Sequence, residues 1–544
     1  MSEEATYETK RIDHLGIVAG VCQEINLIEQ IDAKVRTSER KVSCGKGTQA
    51  MVLNALGFVG RALYLTPGYL DNKPVEVLIG EGMSAADFND DTLARCLDDL
   101  YEAGVTEVFY QIAGHALEVY GIEAKYVHLD SSSFHLHGAY EGQEAEREAI
   151  SITYGYSKDH RPDLKQVVVQ LITSHKSALP VWFEALSGNS NDKKTFTESV
   201  KAYGKQLSAS GRPYLVMDSA GFSEATLKTA REEGIYWLMR VPETLAQAKK
   251  LVKETSAAEM REIEPGYQGK EVECVYGGVK QRWLIVFSEA AQARELKTLE
   301  KAQSKEREAA EKEWRKLEGQ TFNCPADAEQ AVGQYNQKWK YHQAKAQVSP
   351  LTQYARRGRP SASDQKEIVG YSLSGEVETR EVSVEDAKRS LGWFIIATNE
   401  LEATRLSLTG MLENYTDQGI SVERGFRFLK DPLFFANTLF LKKPQRIMAL
   451  LMIMGLALLI YSLAERKLRL ALKEMQATIP NQLGKPTQTP TIRWVFQLFE
   501  GLDILLIRQN GQVVVRKLLN LRPVQQQVIA LLGPRVQYCY LMPL

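Results

Sequence analysis

Excess charge of either sign is missing from this sequence: 67 lysines and arginines stand against 68 aspartates and glutamates over 544 residues. A globally basic protein is thereby excluded, and any surface for an acidic polymer has to come from local clustering. Cysteine is scarce as well. Cys22, Cys44, Cys96, Cys274, Cys324 and Cys539 lie far apart with no Cys-x-x-Cys pair, which argues against a disulfide framework or a zinc finger and suits buried thiols in a reducing compartment. The N-terminus, MSEEATYETKRIDH, has neither the basic start nor the apolar run of an export signal, so a cytoplasmic location is expected. Gly45-Lys-Gly-Thr48 lacks the spacing of a phosphate loop. Long apolar runs are absent but for one: Ile447 to Leu463, IMALLMIMGLALLIYSL, is 17 uncharged residues with basic flanks on both sides. That is the short end of the roughly 17–25 residues that span a bilayer, without the charge asymmetry that orients a membrane helix. A helix apolar all round is expected at the centre of a large domain, with no membrane partner.

What is present is length enough for several regions around a substantial core. Residues 1–120 read as a helical N-terminal domain, because LGIVAGVCQEINLIEQID, TQAMVLNALGFVGRALY, DDTLARCLDDLYEAG and TEVFYQIAGHALEVYG carry apolar residues at steps of three and four. Over 121–242 the pattern switches to β-branched runs, KYVHLDSSSFHL, ISITYGYS and KQVVVQLIT, then to short apolar strands alternating with helical stretches. This describes an α/β fold with a mixed sheet covered by helices. Residues 243–390 interrupt it with an insertion domain built around the charged run ARELKTLEKAQSKEREAAEKEWRKLEG, which reads as a solvated helix. The core pattern resumes over 391–478 with Gly392-Trp-Phe-Ile-Ile-Ala-Thr-Asn399, and 479–544 form a tail subdomain in which Asn510-Gly511 suggests a hairpin.

Chemistry gathers where strands end. Tyr126-Val-His-Leu-Asp-Ser-Ser-Ser-Phe-His-Leu-His-Gly138 holds one carboxylate and three histidines, and His135-Leu-His137 looks like a metal clip. Period-two alternation separates them: Asp130 shares a face with Tyr126 and His128, while His135 and His137 take the other unless Ser131–Ser133 bulges the strand. Asp130 and Asp218 (in Tyr214-Leu-Val-Met-Asp218) each close an apolar strand and precede a serine, at strand ends where open α/β sheets bind ligands. Asp218 equally suits the start of a helix near Ser223. A third carboxylate lies in ENYTDQGISVERGFRFLKDP: on a helix over 422–429, Glu423, Arg427 and Lys430 share one face while Val422, Phe426 and Leu429 face the core. A surface ion-pair ladder has the same spacing.

Taken with Tyr154-Gly-Tyr-Ser-Lys-Asp-His-Arg-Pro-Asp-Leu-Lys-Gln166, Gly188-Asn189 and Thr398-Asn399, these residues resemble the DDE transposases of bacterial insertion sequences, in the branch with a long insertion between the second Asp and the Glu. The resemblance implies an RNase H-like core in which Asp130, Asp218 and Glu423 are catalytic and hold two Mg2+ ions, with Mn2+ as a substitute. It implies double-stranded DNA as partner, both terminal inverted repeats and target, a homodimer on the DNA, and nucleoid association during action. It makes Tyr415 and Lys430 DNA contacts. The arginine expected three residues after the tyrosine is Gln418, which leaves Arg424 or Arg427 to replace it, and Lys158 or Arg161 to meet phosphate. For Arg161 the alternative is a brace with Asp163. The helical N-terminal region would bind the DNA ends and dimerise. A related nuclease or resolvase, or a non-catalytic transposase-derived binding protein, shares much of this pattern.

Overall fold

The computed structural model describes residues 5–35, 40–58, 62–138, 140, 149–157, 161–175, 177–207, 213–354, 365–416, 418–431, 441–510 and 512–541. After strand β1 (Thr6–Arg11) and a run of helices, the chain enters a nine-stranded mixed sheet. Its strands are β2 (Tyr126–Leu136), β3 (Lys165–Ser174), β4 (Pro180–Ser187), β5 (Tyr214–Met217), β6 (Tyr236–Arg240), β7 (Arg261–Glu264), β8 (Tyr267–Tyr276) and β9 (Val279–Ser288). The ninth lies further along, after β10 (Thr321–Phe322), β11 (His342–Tyr354) and β12 (Lys366–Thr379), and is β13 (Trp393–Thr398). The order across the sheet is β4-β3-β2-β5-β6-β13-β9-β8-β7.

Two halves of that sheet have different causes. The meander β2–β3–β4 is antiparallel, as β-branched runs such as KQVVVQLITS joined by short turns require. Beyond it, β2 pairs with β5 and β5 with β6 in parallel, joined by the helices Asp192–Gln206 and Glu224–Glu232. A parallel pair needs such a crossover. Three antiparallel strands followed by two parallel ones define the RNase H-like arrangement. The β2–β3 register runs from Val127↔Ser174 to Leu136↔Lys165 without a shift, so the three serines do not bulge the strand.

The stretch 243–390 divides. Strands β7–β9 extend the main sheet beyond β13, and only then does the chain leave it. The helix Glu289–Glu318, the helix Pro325–Lys338 and the small sheet β10-β12-β11 enclose a separate core of Ala310, Trp314, Ala328, Tyr335, Ala344 and Leu373. As its charge pattern predicts, the 30-residue helix buries little besides Leu299, Ala310 and Trp314, and pairs such as Arg307–Glu311 (3.0 Å) lie along its exposed side.

The apolar run lies in a 31-residue helix, Pro444–Glu474, about 46 Å long. Among the described residues it is the one helix long and apolar enough to cross a membrane, and protein covers it instead. Its Gly455 faces Phe109 and Phe183, from an N-terminal helix and from β4 respectively, at a distance where an added Cβ would stand 3.1–3.2 Å from both rings. The N-terminal helices, this helix, one face of the β2–β4 meander and residues from the 479–544 region share a single buried core. The tail hairpin Asp503–Gln509/Gln512–Leu519 takes β1 as its third strand, antiparallel, with Thr6 opposite Arg508 and Arg11 opposite Asp503.

Candidate active site

Strand register brings the two aspartates together. On β2 and β5 the pairs Tyr126↔Tyr214 and His128↔Val216 are aligned in parallel, and continuing by two residues sets Asp130 beside Asp218 on one face. Adjacent strands are about 4.8 Å apart. Three tyrosines at the opposite strand ends secure the alignment: Tyr126 stacks on Tyr214 (4.9 Å between centroids) and Tyr214 on Tyr236 (5.2 Å). Tyr214 also donates to the buried Glu400 at 2.9 Å. A slip of one residue would turn either aspartate to the other face.

Each aspartate has local backbone support. Asp130 Oδ1 accepts from the N–H of Ser131 at 2.7 Å and Asp218 Oδ1 from that of Ala220 at 2.9 Å. The helix after Asp218 is capped by Ser223, whose side chain accepts from Thr226 N. Asp218 therefore is not the helix cap.

The third carboxylate comes from a helix laid across β2 and β3. Gln418–Leu429 buries Phe426 and Leu429, with Phe426 against Phe134 (6.5 Å). That seating turns Glu423, Arg427 and Lys430 toward Asp130, and with Ser131, Ser132, Phe426 and Asp431 they line an open groove of about 640 Å³. The ammonium of Lys430 lies 5.7 Å from the centre of the Phe134 ring. Glu423 takes part in no ion pair among the described residues, so a surface ladder does not explain it.

Arg424 points the other way. It leaves the groove and pairs with Glu465 of the long apolar helix at 2.8 Å. Tyr415 belongs with Asp218: burial raises its phenol pKa, with the charge of the neighbouring Arg240 opposing the rise and that of Asp218 adding to it. Arg161 makes a two-pronged pair with Asp163 (2.9 and 2.8 Å), the brace, in an exposed position. Lys158 lies outside the described residues.

Arg240 escaped sequence reading. Met217↔Met239 pairing places it next to Asp218, its guanidinium lies 5.4 Å from the Phe394 ring centre, and it pairs with Glu243. The available signal was IYWLMR, a third core strand ending in a polar residue.

Two of the three histidines are tied into the fold, while His137 is exposed. His135 Nε2 contacts Ser157 Oγ at 2.9 Å, and that hydroxyl accepts from the N–H of Arg161 at 2.8 Å, which ties the motif loop to β2. His128 is buried, 3.1 Å from His175, and desolvation holds its imidazole neutral, pushed down to about 3. Other motif residues are architectural too. Gln166 donates to the carbonyls of Tyr156 (3.1 Å) and Gly188 (2.7 Å), and Asn399 bonds both the N–H of Trp237 (2.9 Å) and the carbonyl of Ile235 (3.0 Å) at the start of β6.

Carboxylates on rigid strands suit a hard divalent cation in donor type. Among the described residues, however, no three His, Cys, Asp or Glu side chains are grouped closely enough to hold an ion. Asp130 and Glu423 share the groove, and Asp218 is adjacent to Asp130 by register.

The class is that of the RNase H-like mixed sheets, with one departure from the sequence expectation: Asp218 follows the end of β5, whereas Asp130 lies within β2, which continues to Leu136. Residues 125–460, more than half the chain, match the family model of the transposase DDE domain, so the chain belongs to the DDE transposase family. Residues 7–114 match a domain of unknown function (DUF4277). No curated protein gives a match. Among solved structures the chain is similar to the piggyBac transposase in a synaptic complex with hairpin DNA, at 10% identity and a TM-score of 0.37, over 91% of this chain and 82% of that one.

Proposed function

We propose that this transposase binds the terminal inverted repeats of an insertion sequence, cleaves the DNA ends and joins them to target DNA, acting as a dimer because two ends must meet. What supports the reading is the groove that Asp130 and Glu423 share, with Asp218 falling next to Asp130 when the β2–β5 register is continued by two residues. These three side chains would hold divalent cations, Mg2+ in the first instance. When bound, such ions supply Lewis-acid activation of the attacking hydroxyl and charge stabilisation of the leaving oxygen. The chain's own residues do the positioning. Arg427 and Lys430 stand beside Asp130 and Glu423, where they would hold backbone phosphate against two carboxylates that otherwise repel it. Tyr415, with the charges of Arg240 and Asp218 close to its phenol, would pack against the sugar or base beside the scissile phosphate. The N-terminal helices are assigned to end binding.

The test is incubation with a labelled element end, Mg2+ and a target plasmid, comparing wild type with Asp218→Asn. The variant is nearly isosteric but lacks a charge the cations need, so cleavage and joining should fall by at least ~100-fold while end binding persists. Equal cleavage by both proteins refutes the carboxylate assignment.

A further inference from the structure

Behind the Glu423 helix, on the side away from the carboxylate groove, lies a second concavity of about 460 Å³. Arg424 enters it from that helix, and Arg466, Arg469 and Lys473 line it from the long apolar helix, with Glu465 as its one acid. Four cations against one carboxylate leave a local excess of positive charge in a chain whose total is −1. The acid is consumed internally. Glu465, with its side chain 10% exposed, accepts from Arg424 and Arg469 at 2.8 Å each and from the N–H of Ile492 at 3.0 Å. Arg469 is further engaged by the carbonyl of Pro490 at 2.8 Å.

That leaves the other two cations uncompensated. Among the described residues Arg466 is held only by a neutral partner, the Ser177 hydroxyl at 2.9 Å, and Lys473 is exposed and has no ion pair there. Positions 462, 466, 469 and 473 follow one face of a helix, so Arg466 and Lys473 lie about 10 Å apart along its axis. Cations strung along a line, and not converged on a point, match a polyanion better than a single small anion. One DNA strand presents a phosphate every ~3.4 Å of axis, or about three over that distance. The Glu423 helix, about 10–12 Å across, lines both this concavity and the carboxylate groove.

We infer that the concavity is a second DNA contact, which grips backbone phosphates of the duplex outside the cleavage point and does so without reading sequence. The inference rests on the transposase reading. It assigns Arg466 and Lys473 to phosphate, and Glu465 to holding Arg424 and Arg469 as the walls between which the strand lies.

Binding of a labelled duplex of arbitrary sequence, followed against salt, tests it. Each phosphate contact contributes ~0.9 to the slope of log affinity on log salt. Arg466→Ala with Lys473→Ala should lower the slope by ~1.8, so that wild type loses about twelvefold more affinity than the variant between about 50 and 200 mM salt. The loss should be equal on a second, unrelated duplex. Lys473→Ala alone alters an exposed side chain that the fold does not need, and should lower the slope by ~0.9; Arg466→Lys should keep it. Wild-type slopes in Lys473→Ala and in a double variant of unchanged thermal melting overturn the inference and leave the transposase reading standing. A wild-type protein that holds no duplex overturns both. Binding of dAMP that the double variant loses, with duplex binding unchanged, makes the site a mononucleotide pocket and also overturns the inference.

Discussion

Gly188→Ala should open the motif loop without touching a carboxylate. Gly188 lies where the loop 149–157 crosses the end of β3, and an added Cβ would fall inside the Gln166 carbonyl oxygen and 2.6 Å from that of Thr153. Both are backbone atoms, so a rotamer change cannot relieve the clash. Four hydrogen bonds meet there: Gln166 N to Thr153 O (2.9 Å), Thr153 N to Gln166 O (3.4 Å), Gly188 N to Ser151 O (3.0 Å) and Gln166 Nε2 to Gly188 O (2.7 Å). At ~1 kcal/mol net each, loss of half to all of them costs about 2–4 kcal/mol of local stability. Hydrogen exchange measured by mass spectrometry on peptides covering 149–157 and 165–174 should show protection reduced by about 30- to 700-fold. Strand cleavage should fall with it, because the loop is fastened through Ser157 to His135 on the strand that carries Asp130. Protection within about threefold of wild type, a change under ~1 kcal/mol, would refute the claim that backbone packing explains the glycine.

Two other outcomes follow from burial. Gly455→Val would drive two methyl groups toward Phe109 and Phe183, already 3.1–3.2 Å from an added Cβ, and should cost about 1–3 kcal/mol in denaturant unfolding; an unchanged midpoint would mean that the long helix is not wedged there. Acid should weaken the fold through His14 and His128, whose imidazoles burial pushes from an ordinary 6.5 down to about 4 and about 3. The unfolded chain gains those protons below pH ~6.5 while the folded chain refuses them, so stability is full above that pH and declines as pH falls toward ~4, by up to ~1.4 kcal/mol per pH unit for each histidine. Denaturation midpoints that stay flat or rise through that window in a His14→Phe/His128→Leu background, but fall in wild type, locate the effect; a flat wild-type curve refutes it.

Local pattern carried much of the fold. A strand through Asp130, one ending just before Asp218, a helix presenting Glu423 with Arg427 and Lys430, and an apolar central helix could all be read from periodicity, since each depends on residues a few positions apart; that β2 runs on past Asp130 to Leu136 could not. What could not be read depends on partners far along the chain. Arg424 and Arg427 look interchangeable in sequence, yet the 100° step of a helix and the position of Glu465 send Arg424 away from the groove. Arg240 gains its meaning only from β5–β6 register and from Tyr415, 175 positions later. The split of 243–390, in which β7–β9 join the main sheet, is likewise a matter of strand pairing, which alternation alone does not specify. The run Tyr154–Gln166 was the most distinctive stretch of sequence, and much of that distinctiveness is now traceable to Ser157, Arg161, Gln166 and the close approach of Gly155 to Gly188.

The pairing of β1 with the tail sets a clock on synthesis. The ladder partner of Thr6–Arg11 lies about 500 positions later in the chain, and at roughly 5–20 residues per second the wait is about 25–100 s. Through that interval the early helices lack their third-strand closure and the helix that fills their core. A chain stopped before position 500 therefore cannot complete this unit, so if end recognition resides there, a ribosome-bound or prematurely terminated product would be unable to hold an element end even though its Asp130, Asp218 and Glu423 had all been made.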